Sequence, residues 1–223
     1  MAPPDDPDSA VPERLRSDAE RNRDRIIEAA RGLYAADGLG VSMAAVAREA
    51  GVGIATMFRR FPTQDDLVAA VFADRMTAYG DAVEAALADP DPWRGFTGYV
   101  ETVCAMQAAD RGFAEVLTMT FPTAKKLEAC RARVYERFVE LIARAKATGR
   151  LRQDFTPEDM PLLLMANAGV IAVTGDAAPD AWRRLVGYLV QAFAVADPDP
   201  LPAAPSPAAM YRAMITFHRS RTR

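Results

Sequence analysis

Two adjacent arginines, Arg59 and Arg60, lie near the end of the stretch "REAGVGIATMFRRFP" at residues 48–62, just ahead of Phe61 and Pro62. A guanidinium is permanently charged, and its planar fork of donors matches a phosphate or the edge of a guanine. Two of them on one short segment therefore suit a nucleic acid. Exposed charge is more often a solvated helix face, so the choice rests on what surrounds the pair. Other chemistry is sparse. His218 is the single histidine, which removes most histidine metal sites and the Ser/His/Asp and Cys/His triads. Cys104 and Cys130 are far apart with no CxxC pattern, and both are expected as reduced thiols. No GxGxxG follows a strand pattern, and no GxxxxGK precedes a Ser or Thr. Neither catalytic residue nor metal nor cofactor is expected, so an enzyme is the weakest reading.

The net charge of −3 hides an uneven distribution. Residues 1–13 carry four acids and no base, residues 14–64 carry nine arginines against six acids, and the remainder nets −2. A positive module thus stands behind an acidic, Pro-rich leader that is expected to be disordered. The leader is unlike a signal peptide, and no run of eighteen apolar residues occurs, which points to the cytoplasm and to no membrane partner.

The elements that position the arginines are helical. In "RDRIIEAARGLYAADG" the residues Ile26, Ile27, Ala30, Leu33 and Tyr34 share one face, and Gly38 stops the helix. Ser42 offers an N-cap for a second short helix that Gly51 ends. A third runs from Gly53 to Phe61, with Ile54, Met57, Phe58 and Phe61 at helical spacing, and Pro62 closes it. Thr63 and Asp66 form a capping box for one long helix with the stripe Leu67, Val71, Phe72, Met76, Tyr79 and Val83. Further stripes follow at Phe96–Val103, at Leu127–Ile142, in a helix opened by Thr156 and Pro157, and in "PDAWRRLVGYLVQAF". No alternating strand pattern competes. The chain is expected to be all-α, with three short helices and about six longer ones.

A helix-turn-helix needs a small residue where the two helices cross, a glycine in the turn four residues on, and an apolar residue six further that locks the pair. Ala47, Gly51 and Met57 meet those demands. With these residues in place, "VSMAAVAREAGVGIATMFRRFPTQDDLVAAVF" resembles the DNA-binding domain of the TetR family of bacterial transcriptional regulators, over about residues 21–80. The rest of the chain resembles the family in length and helical pattern. The resemblance implies an N-terminal three-helix helix-turn-helix DNA-binding domain followed by a larger helical domain for effector binding and dimerisation. The expected divisions are a leader over 1–13, the DNA-binding domain over 14–80 with its helix-turn-helix at about 43–62, the larger domain over 81–196, and a Pro-rich linker with a possible helix over 197–223. It also implies a homodimer on double-stranded DNA, most simply a repressor released from a near-palindromic operator by a small effector.

Carried over by position, the DNA-facing residues are Ser42, Gly53, Ile54, Ala55, Thr56, Phe58, Arg59, Arg60 and Gln64. Ile54 and Ala55 suit thymine methyl groups, and Phe58 stands where the family usually has a tyrosine. Arg14, Arg16, Arg21, Arg23 and Arg25 suit a backbone-tracking arm, or pair with Glu13, Asp18, Glu20 and Asp24 as ordinary helix partners.

In the larger domain the inward aromatic and Met residues, Trp93, Phe96, Tyr99, Met106, Phe113, Met119, Phe138 and Met165, are expected as core that keeps an adaptable pocket, with Asn167 as its polar group. A largely hydrophobic, weakly charged effector would suit such a lining. The face Trp182, Leu185, Val186, Leu189, Val190 and Phe193, together with the apolar helix at 156–174, is expected to make a two-fold interface. Residues 63–87 are expected to serve as the lever between the domains. The rival reading is a helical protein-interaction or ligand-carrier module that no longer binds DNA, favoured by the apolar Ile54, Ala55 and Phe58.

Overall fold

Ile26, Ala30 and Tyr34, spaced by four, are fully buried on one face of α1 (Ala10–Asp37). The computed structural model describes the backbone of residues 10–194 and 199–221 and the side chains of 18–194 and 199–215. The leader through residue 9 and the side chains of Arg14, Arg16 and His218 lie outside the described residues. α1 already includes residues 10–13, so its backbone shows no change at the division expected after residue 13. It stops at Gly38, whose φ of 78° favours a residue without Cβ. α2 (Met43–Glu49) is capped by the Ser42 hydroxyl, which accepts from the Ala45 N–H at 3.2 Å. α3 (Ile54–Arg60) follows the tight turn at Gly51.

The expected single long helix is two: α4 (Gln64–Val71) and α5 (Ala73–Ala88). Thr63 and Asp66 cap the first reciprocally, as the sequence predicts. The break is at Phe72, with φ −101° and ψ 13°. Its buried ring lies between Tyr34, 6.2 Å away, and Phe113, 6.0 Å away. Packing against α1 thus sets the bend where periodicity alone calls for a straight helix.

α6 (Pro92–Ala109) opens on Asp91, which accepts from the N–H groups of Trp93 and Arg94 at 3.0 and 3.3 Å. It packs on α5 and on α8 (Lys125–Ala147). Between them stands α7 (Arg111–Thr118), which the sequence reading lacks. Every residue from Gly112 to Phe121 is buried, Glu115, Thr118 and Thr120 included, so the polar residues do not mark a solvent side as they do on a surface helix. α9 (Asp159–Thr174) begins two residues after the expected proline start, because the Asp159 carboxylate accepts from the Thr156 N–H at 2.7 Å and caps the turn ahead of it. It ends at Gly175 and a 3-10 turn, followed by α10 (Ala181–Phe193) and α11 (Pro207–Arg221). No strand occurs among the described residues.

The tail folds back on its own subunit. The Arg152 guanidinium grips Asp154 at 2.5 and 2.8 Å and donates to the Asp199 carbonyl at 3.0 Å, while the Leu201 N–H donates to Asp154 at 3.2 Å. The hydrogen bond from Arg152 is the main cause that lowers the Asp154 carboxyl to about 2. A lowered folded-state value stabilises above the unfolded value, and the gain is lost as pH falls through the folded one. Hydrogen-exchange protection at Leu201 should therefore hold from neutral pH down to about 4 and fall away towards about 2.

Candidate nucleic-acid interface

The α2–α3 pair is locked from beneath. Ala47 and Met57 are buried, and the Val52 N–H closes the turn on the Ala47 carbonyl at 3.0 Å. Gly51 has φ 62°, and a Cβ there would lie 2.7 Å from the Arg25 guanidinium. Arg25 instead donates to the carbonyls of Ala50 (2.5 Å) and Gly51 (3.2 Å). It braces the turn and is not free for a DNA arm. Arg21 is paired with Asp18, as the helix-partner alternative has it, and Arg23 lies 4.0 Å from Asp24 and 5.9 Å from the Phe61 ring centre.

Once Met57 and Phe61 are buried, the opposite face of α3 points outward. Ile54 is 48% exposed and Phe58 47% exposed, so neither belongs to the core stripe on which their spacing had placed them. Ala55, Arg59 and Arg60 are exposed beside them, and Gly53 caps α3 without a side chain. Arg59 also donates to the Thr56 hydroxyl at 3.3 Å, which holds one cation against the helix. The exposed Ser42 hydroxyl accepts from the backbone and keeps its own proton to donate. Apolar and cationic side chains thus stand exposed together on α3, a helix of the kind that a major groove admits.

Gln64 does not belong to that surface. Its amide donates to the carbonyls of Leu39 (2.5 Å) and Val41 (3.4 Å), tying α4 to the loop before α2. The loop and the last turn of α1 are also held from α7: the buried Glu115 carboxylate accepts from the Leu39 N–H at 2.8 Å, and Arg111 donates to the Ala36 carbonyl at 2.9 Å. Sequence reasoning missed Glu115. The available signal was a lone acid in the apolar run "GFAEVLTMTF", since an acid buried there needs a partner.

Most of the expected pocket residues are core, Met106 and Met165 being half-buried. Phe96 packs on Trp93 (5.8 Å), Phe138 (6.2 Å) and the edge-on Phe155 (5.3 Å), and Phe113 and Met119 are as deeply buried. None of Trp93, Phe96, Tyr99, Met106, Phe113, Met119, Phe138, Met165 or Asn167 lines the groove beside α5 and α8 or the hollow beside α9 and α10. Asn167 donates to the Gln107 side chain at 2.9 Å and to the Cys104 carbonyl at 3.3 Å, while its buried Oδ1 accepts no hydrogen bond. Burial pushes the Cys104 thiol up to about 12, which leaves it unreactive.

Trp182 and Val186 are likewise buried within the subunit, and Phe193 packs edge-on to Phe155 at 5.0 Å. These three support the core. The apolar groups left outward on α9 and α10 are Leu162, Val173 and Tyr188.

Comparison with known proteins agrees with this layout. Residues 26–71 match the model of bacterial regulatory proteins of the tetR family, and residues 91–193 match that of the SbtR-like transcriptional regulator C-terminal domain. Comparison with curated proteins returns no match. A TetR transcription regulatory protein from Mycobacterium vanbaalenii is 31% identical over 81% of this chain and 99% of its own, with a TM-score of 0.46. A putative tetR family regulator from Shewanella sp. PV-4 is 22% identical over 78% of this chain and 98% of its own, with a TM-score of 0.57. FadR from Bacillus subtilis, solved in complex with stearoyl-CoA, shares the fold at 12% identity, over 78% and 98% of the chains, with a TM-score of 0.56. Two family models that together span the helix-turn-helix and most of the larger domain, with a relative 31% identical over nearly the whole of its length, place this chain in the TetR family of bacterial transcriptional regulators.

Proposed function

We propose that the protein is a homodimeric, cytoplasmic repressor that binds a near-palindromic operator and leaves it when a small molecule occupies the larger domain. The members of this family are regulators, not enzymes. The observation that carries the reading is the outward face of α3, where Ile54, Ala55 and Phe58 stand exposed beside Arg59 and Arg60. Arginine contacts to phosphate supply affinity, and apolar contacts to thymine methyls supply part of the specificity. The exposed apolar groups Leu162, Val173 and Tyr188 support a two-fold pairing of α9 and α10. The Bacillus subtilis FadR structure, of the same fold, is a complex with stearoyl-CoA, which supports a ligand with a long apolar chain here.

Selection of genomic fragments on purified protein, at low and high salt, tests the reading. A near-palindromic site recovered by a species of about twice 24.2 kDa supports it. A monomeric mass at micromolar concentration, or DNA captured without sequence preference, counts against it. The exposed apolar pair Ile54 and Phe58 also favours a second reading, a protein-binding α3. That association would resist salt, whereas DNA binding weakens steeply with it. Phe58→Tyr restores a hydroxyl at the tip of an exposed ring. It is expected to tighten operator binding by about 0.5–1.5 kcal/mol, as measured by fluorescence anisotropy.

A further inference from the structure

A groove of about 950 Å³ runs between α4 and α5 on one side and α8 on the other, open to solvent along its length. Small-molecule sites occupy about 300–1,000 Å³, so it is large enough for an elongated ligand. Its apolar lining is Ala69, Ala73, Met76, Val83, Leu127 and Val134, alongside the charged groups. The charge on its walls is lopsided. Arg23, Arg60, Lys125 and Lys126 line the end next to α3. The carboxylate lining that end, Asp66, is committed to the α4 cap, accepting from the Thr63 N–H at 3.2 Å and hydroxyl at 2.7 Å. In the rest of the lining Asp81 and Glu84 stand against Arg133 and Arg137, two of each sign, and Arg137 grips Glu84 through two bonds of 2.8 Å and also pairs with Glu140.

An apolar trough with a cationic mouth is complementary to a chain that carries its charge at one end. We propose that the groove binds an anionic amphiphile, with the head group held by Arg60, Lys125 and Lys126 and the apolar chain lying along α5 and α8. The ligand so described is strongly charged at its head, unlike the weakly charged effector suggested by the inward stripes. The inference rests on the regulator reading in one respect: Arg60 belongs both to the groove and to the outward face of α3. A head group on Arg60 competes with a DNA phosphate for the same guanidinium. Ligand and operator therefore weaken each other's binding reciprocally, without any lever motion.

Calorimetric titration of the full-length protein with dodecyl phosphate below its micellar concentration, beside dodecanol and inorganic phosphate, tests the groove. Operator anisotropy in the same buffers tests the coupling. One dodecyl phosphate per subunit is expected, bound more tightly than dodecanol, with no heat from inorganic phosphate and with weakened operator binding. Gly80 lines the groove and has open space where a Cβ would stand, so Gly80→Phe adds bulk to the groove without a clash at Cβ. Gly80→Phe and the double change Lys125→Glu/Lys126→Glu should each weaken dodecyl phosphate by about tenfold or more, while the thermal melt stays unchanged. Dodecanol binding as tightly as dodecyl phosphate overturns the proposal, as does wild-type affinity in both variants. If the ligand-free protein binds no operator, the regulator reading alone fails, because the calorimetric measurement needs no DNA.

Discussion

Removing both guanidinium groups of α3, by Arg59→Ala with Arg60→Ala, is expected to weaken operator binding by about 2–6 kcal/mol, roughly 30-fold to 20,000-fold. The two side chains are exposed and lie on the surface beside Ile54, Ala55 and Phe58. Their removal leaves Met57 and the turn beneath untouched, so the loss should not come from unfolding. The single variants separate phosphate from base. A cation that neutralises a phosphate lowers affinity evenly across sequences, and its removal flattens the salt dependence by about one unit of slope. A cation that reads guanine relaxes preference at one operator position. Anisotropy titrations across a salt series and a panel of operator variants distinguish these. Undiminished affinity in the double variant would leave the face without a DNA role.

Gly95→Val is expected to lower stability by about 3 kcal/mol and the melting temperature by about 6–12 °C. At this position a Cβ would stand 2.3 Å from the Ala86 carbonyl oxygen and 3.2 Å from its carbon. Those are backbone atoms of α5, so no side-chain rotation relieves the clash, and α5 and α6 must part. The contact lies in the region where α5, α6 and α8 pack together, so the strain spreads through the larger domain's core. Calorimetric melts of the two proteins measure the effect. A melting temperature within about 2 °C of the wild type would mean that α6 shifts at little cost.

The parts of this structure that were legible in the sequence are those where a local rule and the tertiary fold agree. Ser42, Gly38, Gly51 and the Thr63–Asp66 box mark element ends, because capping and positive φ are decided within a few residues. The burial of Ala47 and Met57 followed from spacing for the same reason. Ile54 and Phe58 were ambiguous because helical period alone cannot tell an outward apolar face from an inward one. The bend at Phe72 and the helix α7 could not be read, since both depend on neighbours distant in sequence and α7 is buried from Gly112 onward, its polar Glu115 included. Arg25 and Gln64 escaped for a different reason. Their partners are backbone carbonyls, and a carbonyl leaves no trace in the residue types.

Glu115 on the Leu39 amide and Phe113 on Phe72 have a consequence for how this chain can be cut and recombined. The reading head is finished by side chains supplied from beyond residue 110, so a fragment ending near residue 80 would leave Leu39 without its acceptor and Phe72 uncovered. Chimeras that graft this head onto another regulator's sensor should be spliced so that α7 travels with it, because the sequence boundary and the cooperative unit do not coincide.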